Sequence, residues 1–145
     1  MKVLANDGID KEGINLFNES GIEVDTDKRG LDALIKEISG FDALLVRSAT
    51  KVTKDIIDSG SQGKLKIIGR AGVGYDNIDL DAASAQGIVV KYAPYGNTNS
   101  TAELAFTFML NLSRNVPQAH YSLKNGVWRK KPFKGVELSH KTLVV

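Results

Sequence analysis

The 145-residue chain has no cysteine. Disulfides, thiolate nucleophiles and cysteine metal sites are therefore excluded, and the absence agrees with a reducing compartment. No uncharged apolar run approaches the roughly 18 residues a membrane helix needs. The opening Met1-Lys2-Val3-Leu4-Ala5 does not carry the charged head, long apolar stretch and small-residue cleavage site of a secretory signal. The expectation is a cytoplasmic protein that does not act at a membrane. One-sided charge is missing too. A formal net charge of +2 does not argue for nucleic acid. The run Arg129-Lys130-Lys131 has no aromatic platform beyond Trp128 and Phe133, and reads as a solvated arm. There is no internal repeat and no low-complexity tract.

What is present is an alternation of short apolar runs with amphipathic segments. Strands are expected at Lys2–Asn6, Ile22–Asp25, Ala43–Arg47, Leu65–Gly69 and Ile88–Lys91. Helices are expected near 9–19, 30–39, 53–59 and 79–86. Ile9, Gly13, Leu16 and Phe17 share one face of the first, and Leu31, Leu34, Ile35 and Ile38 one face of the second. Ser20-Gly21, Ser39-Gly40, Ser59-Gly60, Gln86-Gly87 and Asn125-Gly126 each put a glycine just past such a run, where the left-handed conformation ends a helix. Asp79 is positioned to cap the fourth helix, and Ser100-Thr101-Ala102-Glu103 fits a capping box that opens a fifth.

Strand–helix alternation with short connections implies an α/β domain with a parallel sheet. Five such units give a flavodoxin-like, doubly wound, five-stranded domain over residues 1–98, with strand order 2-1-3-4-5 the common solution. A long helical segment follows over 99–127, which Pro117 should kink or divide. Its apolar residues Leu104, Phe106, Phe108, Met109 and Leu112 cover more than one face. Residues 128–145 read as an arm that ends in an apolar, strand-like run, Thr142–Val145.

Ligands in open parallel sheets sit beyond the carboxyl ends of the strands. Three loops fall there: Val46–Thr50, Arg70–Gly74 and Tyr92–Thr98. They present Arg47 and Arg70, turn amides, Asn97 and several hydroxyls, with no carboxylate among them. Such a rim favours a small anion, since guanidiniums pair with carboxylate or phosphate and successive turn N–H groups form an anion nest. The stretch Gly72-Val73-Gly74-Tyr75-Asp76-Asn77 fails as a dinucleotide loop. Asn77 stands where the third glycine of G-x-G-x-x-G belongs, and acidic Asp76 adjoins it. Taken alone, this turn is as consistent with a plain strand-to-helix connection as with anion binding. His120 and His140 lie away from all three loops and read as surface residues. Asp7 follows the first strand, but the chain has Arg47-Ser48 where a phospho-accepting receiver needs an aspartate.

The segments "ALLVRSATKVT", "KIIGRAGVGYDNIDLDAASAQGIVV" and "APYGNTNSTAELAFTFMLNLSRNVPQA" resemble the D-2-hydroxyacid dehydrogenases, in order along essentially the whole chain. The resemblance implies a flavodoxin-like substrate-binding domain for a small, phosphorylated 2-hydroxy acid. It implies that the backbone N–H groups of Val73 and Gly74 hold the substrate carboxylate, and that Arg47, Ser48, Arg70 and Asn97 line the substrate and its phosphate. It further implies a homodimer, in which the helix from Ser100 crosses toward a cofactor domain and the arm Trp128–Lys131 reaches a partner subunit, with Arg129 or Lys130 near that subunit's site. In the family, a G-x-G-x-x-G that binds NAD and the catalytic arginine, glutamate and histidine all come after a segment like His140–Val145. No catalytic residue and no cofactor-binding residue is therefore expected within these 145, and the chain alone should be inactive. The other expectation left open by the residues is a stand-alone anion-binding or oligomerisation module.

Overall fold

The computed structural model describes all of residues 1–145. Two compact units emerge, Met1–Gly96 and Asn97–Val145. The first holds five strands: β1 (Lys2–Ala5), β2 (Glu23–Asp25), β3 (Ala43–Val46), β4 (Ile67–Arg70) and β5 (Val89–Tyr92). They form one parallel sheet in the order β2-β1-β3-β4-β5, as the alternation predicts. The ends differ from expectation by one or two residues. The largest shift is at β4, which starts at Ile67 and runs through Arg70, so that arginine closes a strand rather than opening a loop.

Helices α1 (Lys11–Glu19), α2 (Leu31–Glu37), α3 (Lys54–Ser61) and α4 (Leu80–Ala85) connect the strands. The chain steps one way from β1 to β2 and the other way from β3 on. Right-handed crossovers therefore put α1 on one face and α2, α3 and α4 on the other. The core lies on that second face, where Leu4, Leu44, Val46 and Ile68 of the central strands meet Leu34, Ile38, Ile56, Ile57 and Ala83. Each such side chain contributes roughly 1.5–3 kcal/mol by leaving water. Central β1 is buried at three successive residues, Val3, Leu4 and Ala5, as a strand covered on both faces should be.

Local signals account for both ends of α1 and α4 and for the end of α6. Asp10 caps α1 by accepting from Glu12 N–H, and Asp79 caps α4 by accepting from Ala82 N–H at 2.9 Å. Gly21, Gly87 and Gly126 take φ of 69°, 66° and 74°, the left-handed stop that a side chain would resist. Two of the five expected glycine stops are not stops. Gly40 closes a short 3-10 turn, Ile38–Gly40, without a positive φ. Gly60 lies inside α3 and is buried. A Cβ there would fall 2.4 Å from Leu65 Cδ2, so this glycine serves close packing and not chain reversal. On α1 the inward residues are Gly13, Ile14 and Phe17, while Leu16 is 64% exposed.

The second unit contains α5 (Thr98–Arg114), α6 (Val116–Lys124) and a 3-10 turn at Lys131–Phe133. The expected division of the long helix occurs at Asn115, whose φ of 53° is left-handed, with Pro117 in the first turn of α6, where its missing N–H costs nothing. The expected capping box is not formed. Helix α5 starts three residues earlier, with Asn97 at the N-cap position and Thr98 its first residue, and Ser100 donates its hydroxyl to Asn97 O at 3.0 Å. Thr142–Val145 is not a strand, because no other segment pairs with it and a strand needs a ladder partner. No helix is long and apolar enough to cross a membrane.

Candidate functional site

The carboxyl ends of β1, β3 and β4 bring together most of the residues singled out above. Val46 and Arg70 are register partners at the ends of β3 and β4. The loop after β3 rises from Val46 with Arg47, Ser48 and Ala49 exposed and returns at buried Thr50. The next turn, Ala71–Asn77, is tied at both sides: Ala71 N–H donates to Val46 O at 2.9 Å, and Ala93 N–H to Gly72 O at 3.0 Å. Tyr75 from the turn meets Tyr92 at the end of β5, edge to face, with centroids 5.1 Å apart.

Within the turn the backbone N–H groups of Val73 and Gly74 donate to no backbone acceptor. Beside them, Arg70 folds back so tightly that a Cβ on Gly72 would lie 2.2 Å from Arg70 Nη1. Gly72 thus leaves open the space that the guanidinium occupies. Arg70 Nε is buried and has no hydrogen-bond partner, a state that buried polar atoms rarely hold without a ligand or water to satisfy them. Free turn amides beside an unsatisfied guanidinium suit an anionic oxygen.

The same turn lacks the third glycine of a dinucleotide loop. Asn77, at the third-glycine position, commits its amide to protein by donating to Arg47 O and Thr50 O, both at 2.7 Å. Asp76 Oδ1 lies 2.9 Å from where a Gly74 Cβ would be, so a carboxylate flanks the turn.

The loop after β3 differs from expectation in its backbone. Asp7, just past β1, accepts from Arg47 N–H at 2.7 Å, from Thr50 N–H at 3.0 Å and from the Thr50 hydroxyl at 2.7 Å. The nest in this loop is therefore filled by the protein's own anion, and what it offers outward is the side chains of Arg47 and Ser48. Partial burial raises the pKa of Asp7. The Thr50 hydroxyl, the N–H groups of Arg47 and Thr50 and the charge of Lys28 outweigh it and hold the carboxyl below its ordinary value. Thr50 also accepts from buried Asn6 Nδ2 at 2.9 Å, and Asn6 accepts from Arg29 N–H at 2.8 Å. Hydrogen bonds thus cross the crevice between β1 and β3, the topological switch point where doubly wound sheets often bind ligands, and a pocket lined by Asn6, Ala49 and Thr50 opens beside them.

This pocket, of about 330 Å³, lies between the loops after β2 and β3 and is also lined in part by Lys28, Leu31, Lys51 and Thr53. None of the expected site residues lines it. Asn97 belongs to the second unit, where it precedes α5 and accepts from Thr101 N–H at 2.9 Å through its carbonyl. In that unit a groove of about 710 Å³ is lined by Arg114, His120, Leu123, Trp128, Lys130 and Phe133 among others, and Lys130 Nζ stands 5.8 Å from the Trp128 ring centroid. No cluster of His, Cys, Asp or Glu is arranged to hold a metal. The residues that sequence reasoning did not assign to the site are Asp7, Asn77, Tyr75 and Tyr92. Asp7 and Asn77 stood in view, one after a strand and one in place of a glycine. Their signal was positional, and only the fold shows that they meet at Arg47 and Thr50.

Residues 3–139 match the family model described as "D-isomer specific 2-hydroxyacid dehydrogenase, catalytic domain". Among curated proteins, a D-3-phosphoglycerate dehydrogenase of Archaeoglobus fulgidus is 49% identical over 98% of this chain and 27% of its own length. One of Synechocystis is 49% identical over 99% of this chain and 26% of its own length. The chain thus spans about a quarter of the curated relatives it matches. Among solved structures, an NAD+-bound 3-phosphoglycerate dehydrogenase of Entamoeba histolytica superposes with a TM-score of 0.69 at 31% identity, over 95% of this chain and 43% of that one. By sequence over nearly its whole length and by fold, the chain belongs to the D-isomer-specific 2-hydroxyacid dehydrogenase family.

Proposed function

We propose that these 145 residues are the substrate-binding part of an NAD-dependent D-3-phosphoglycerate dehydrogenase, cytoplasmic and dimeric, which oxidises 3-phosphoglycerate to 3-phosphohydroxypyruvate on the way to serine. The observation that carries the reading is the turn at the end of β4, where the Val73 and Gly74 N–H groups lack backbone acceptors beside an Arg70 whose Nε is unsatisfied. The substrate carboxylate takes the two N–H groups. Arg70, Arg47 and Ser48 hold the rest of the molecule, the arginines facing the phosphate. Binding at the turn fixes the carboxylate and so orients the neighbouring C2 carbon, whose hydrogen is the one transferred. The chain's own work is binding and orientation, and positioning of this kind lowers the entropic part of the barrier. NAD is held by other parts of the enzyme, and residues 1–145 mixed with NAD and 3-phosphoglycerate form no NADH. A dimer is supported by α5, where Leu104, Phe108 and Leu112 on one face and Phe106 and Leu110 on another are all more than half exposed, since exposed apolar faces favour association.

Calorimetric titration of residues 1–145 tests the reading. It predicts that 3-phosphoglycerate binds at least about tenfold more tightly than D-lactate, the value of roughly 1.4 kcal/mol that one charge-assisted phosphate contact readily supplies. Equal affinity for the two acids, or no heat with either, contradicts it.

A further inference from the structure

Two side chains outside the anion rim close on the backbone of the same two residues. Asp7 takes the N–H groups of Arg47 and Thr50 at 2.7 and 3.0 Å. Asn77 gives its amide hydrogens to the carbonyls of Arg47 and Thr50, both at 2.7 Å. Each of these two residues is therefore held at its donor and at its acceptor, once from the end of β1 and once from the loop after β4. Asn77 also belongs to the loop that carries Val73 and Gly74. Its carbonyl accepts from Val52 N–H at 2.8 Å, and Val52 and Ile78 form an isolated parallel bridge. The two rim loops are thus joined through Asn77.

We propose that Asp7 and Asn77 are positioning residues, a paired clamp that holds the Arg47–Ser48 apex in register with the Val73–Gly74 turn so that one anion meets both. The proposal rests on the anion-site reading above. Core packing fixes β3 without the clamp, since Leu44, Val46 and Val52 are at most 1% exposed. What packing leaves loose is the exposed apex Arg47–Ala49, and ordering such a loop before the ligand arrives removes part of the entropic cost of binding. Asp7 also selects the place of binding. By filling the nest after β3 with an internal carboxylate, it leaves the Val73–Gly74 amides as the open nest of the rim.

The test uses residues 1–145 and inorganic sulfate, a dianion throughout the carboxylate range, followed by amide NMR shifts at Arg47, Val73 and Gly74. Asp7→Asn and Asn77→Asp are each expected to weaken sulfate binding about tenfold, because loss of a charge-assisted or buried bond is worth a decade in affinity. Thr50→Ser keeps the hydroxyl and should bind as wild type, whereas Thr50→Val should weaken binding severalfold. This pair carries the test if either clamp variant loses its folded core resonances. The pH profile separates positioning from mere stability. Because the Asp7 pKa is depressed, its acceptors are intact above the ordinary carboxylate range and are lost as pH falls through the lowered value. The charged group facing Asp7 is Lys28 of the loop after β2. Wild-type affinity should therefore fall only at acid pH, and Asp7→Asn should lack that step. Variants that bind like wild type, although the Arg47 and Thr50 shifts show the bonds gone, overturn the clamp and leave the site standing. A wild type with no shift at Val73 and Gly74 overturns the site itself and the clamp with it.

Discussion

In the unit Met1–Gly96, Leu4, Leu44, Ile56 and Ile68 are all 0% exposed, whereas in Asn97–Val145 Phe106, Phe108 and Leu112 are 57%, 59% and 77% exposed. The buried residues all fall within the first unit, and the last of them is Ile88. A parallel sheet cannot form without bringing distant segments together, so its strands and covering helices bury one another. Helix α5 satisfies its own backbone and can stand with its apolar side chains outward. The first unit therefore holds its stability internally, and the second carries its large apolar side chains exposed.

The largest break in that comparison should come from a paired truncation. Leu44→Ala is expected to destabilise urea unfolding by about 2–5 kcal/mol. Leu112→Ala, as large a change in volume at an exposed site, should cost no more than about 0.5 kcal/mol in the dilute monomer. Equal losses would mean that α5 is buried in solution and that the contrast is false. Gly60→Ala sharpens the comparison within the first unit by adding one methyl where Leu65 Cδ2 stands 2.4 Å away. A helix-interior Gly→Ala would normally stabilise by about 0.5–1 kcal/mol. Here overpacking should reverse the sign and cost about 1–3 kcal/mol. A stabilised Gly60→Ala would show that α3 and the Leu65 segment give way easily.

The sheet was legible because short apolar runs, amphipathic spacing and glycine stops all pointed to the same alternation. Gly21 and Gly87 follow that logic. Gly60 does not, because a glycine placed for packing against Leu65 and one placed for a left-handed turn look the same in a sequence. The capping-box pattern at Ser100 misled for a related reason. Thr98 and Asn99 are themselves able to enter the helix, so the start moved upstream and Ser100 turned its hydroxyl to Asn97 O. At the rim, the placement of Arg47, Arg70, Val73 and Gly74 at the ends of the third and fourth strands was legible. The clamp was not, since Asp7 and Arg47 are separated by 40 positions and no local pattern joins them. Asn77 could be read only as a missing glycine until its amide was seen to hold two carbonyls.

The most direct measurement of the central claim is a map of amide shifts in residues 1–145 on titration with 3-phosphoglycerate. Saturable shifts at Arg47, Arg70, Val73 and Gly74 are the predicted result, with the arm Arg129–Lys131 moving little. Shifts confined to Arg129–Lys131, with the turn after β4 unmoved, would show nonspecific attraction to a basic arm and would contradict the assignment of this turn as the carboxylate cradle.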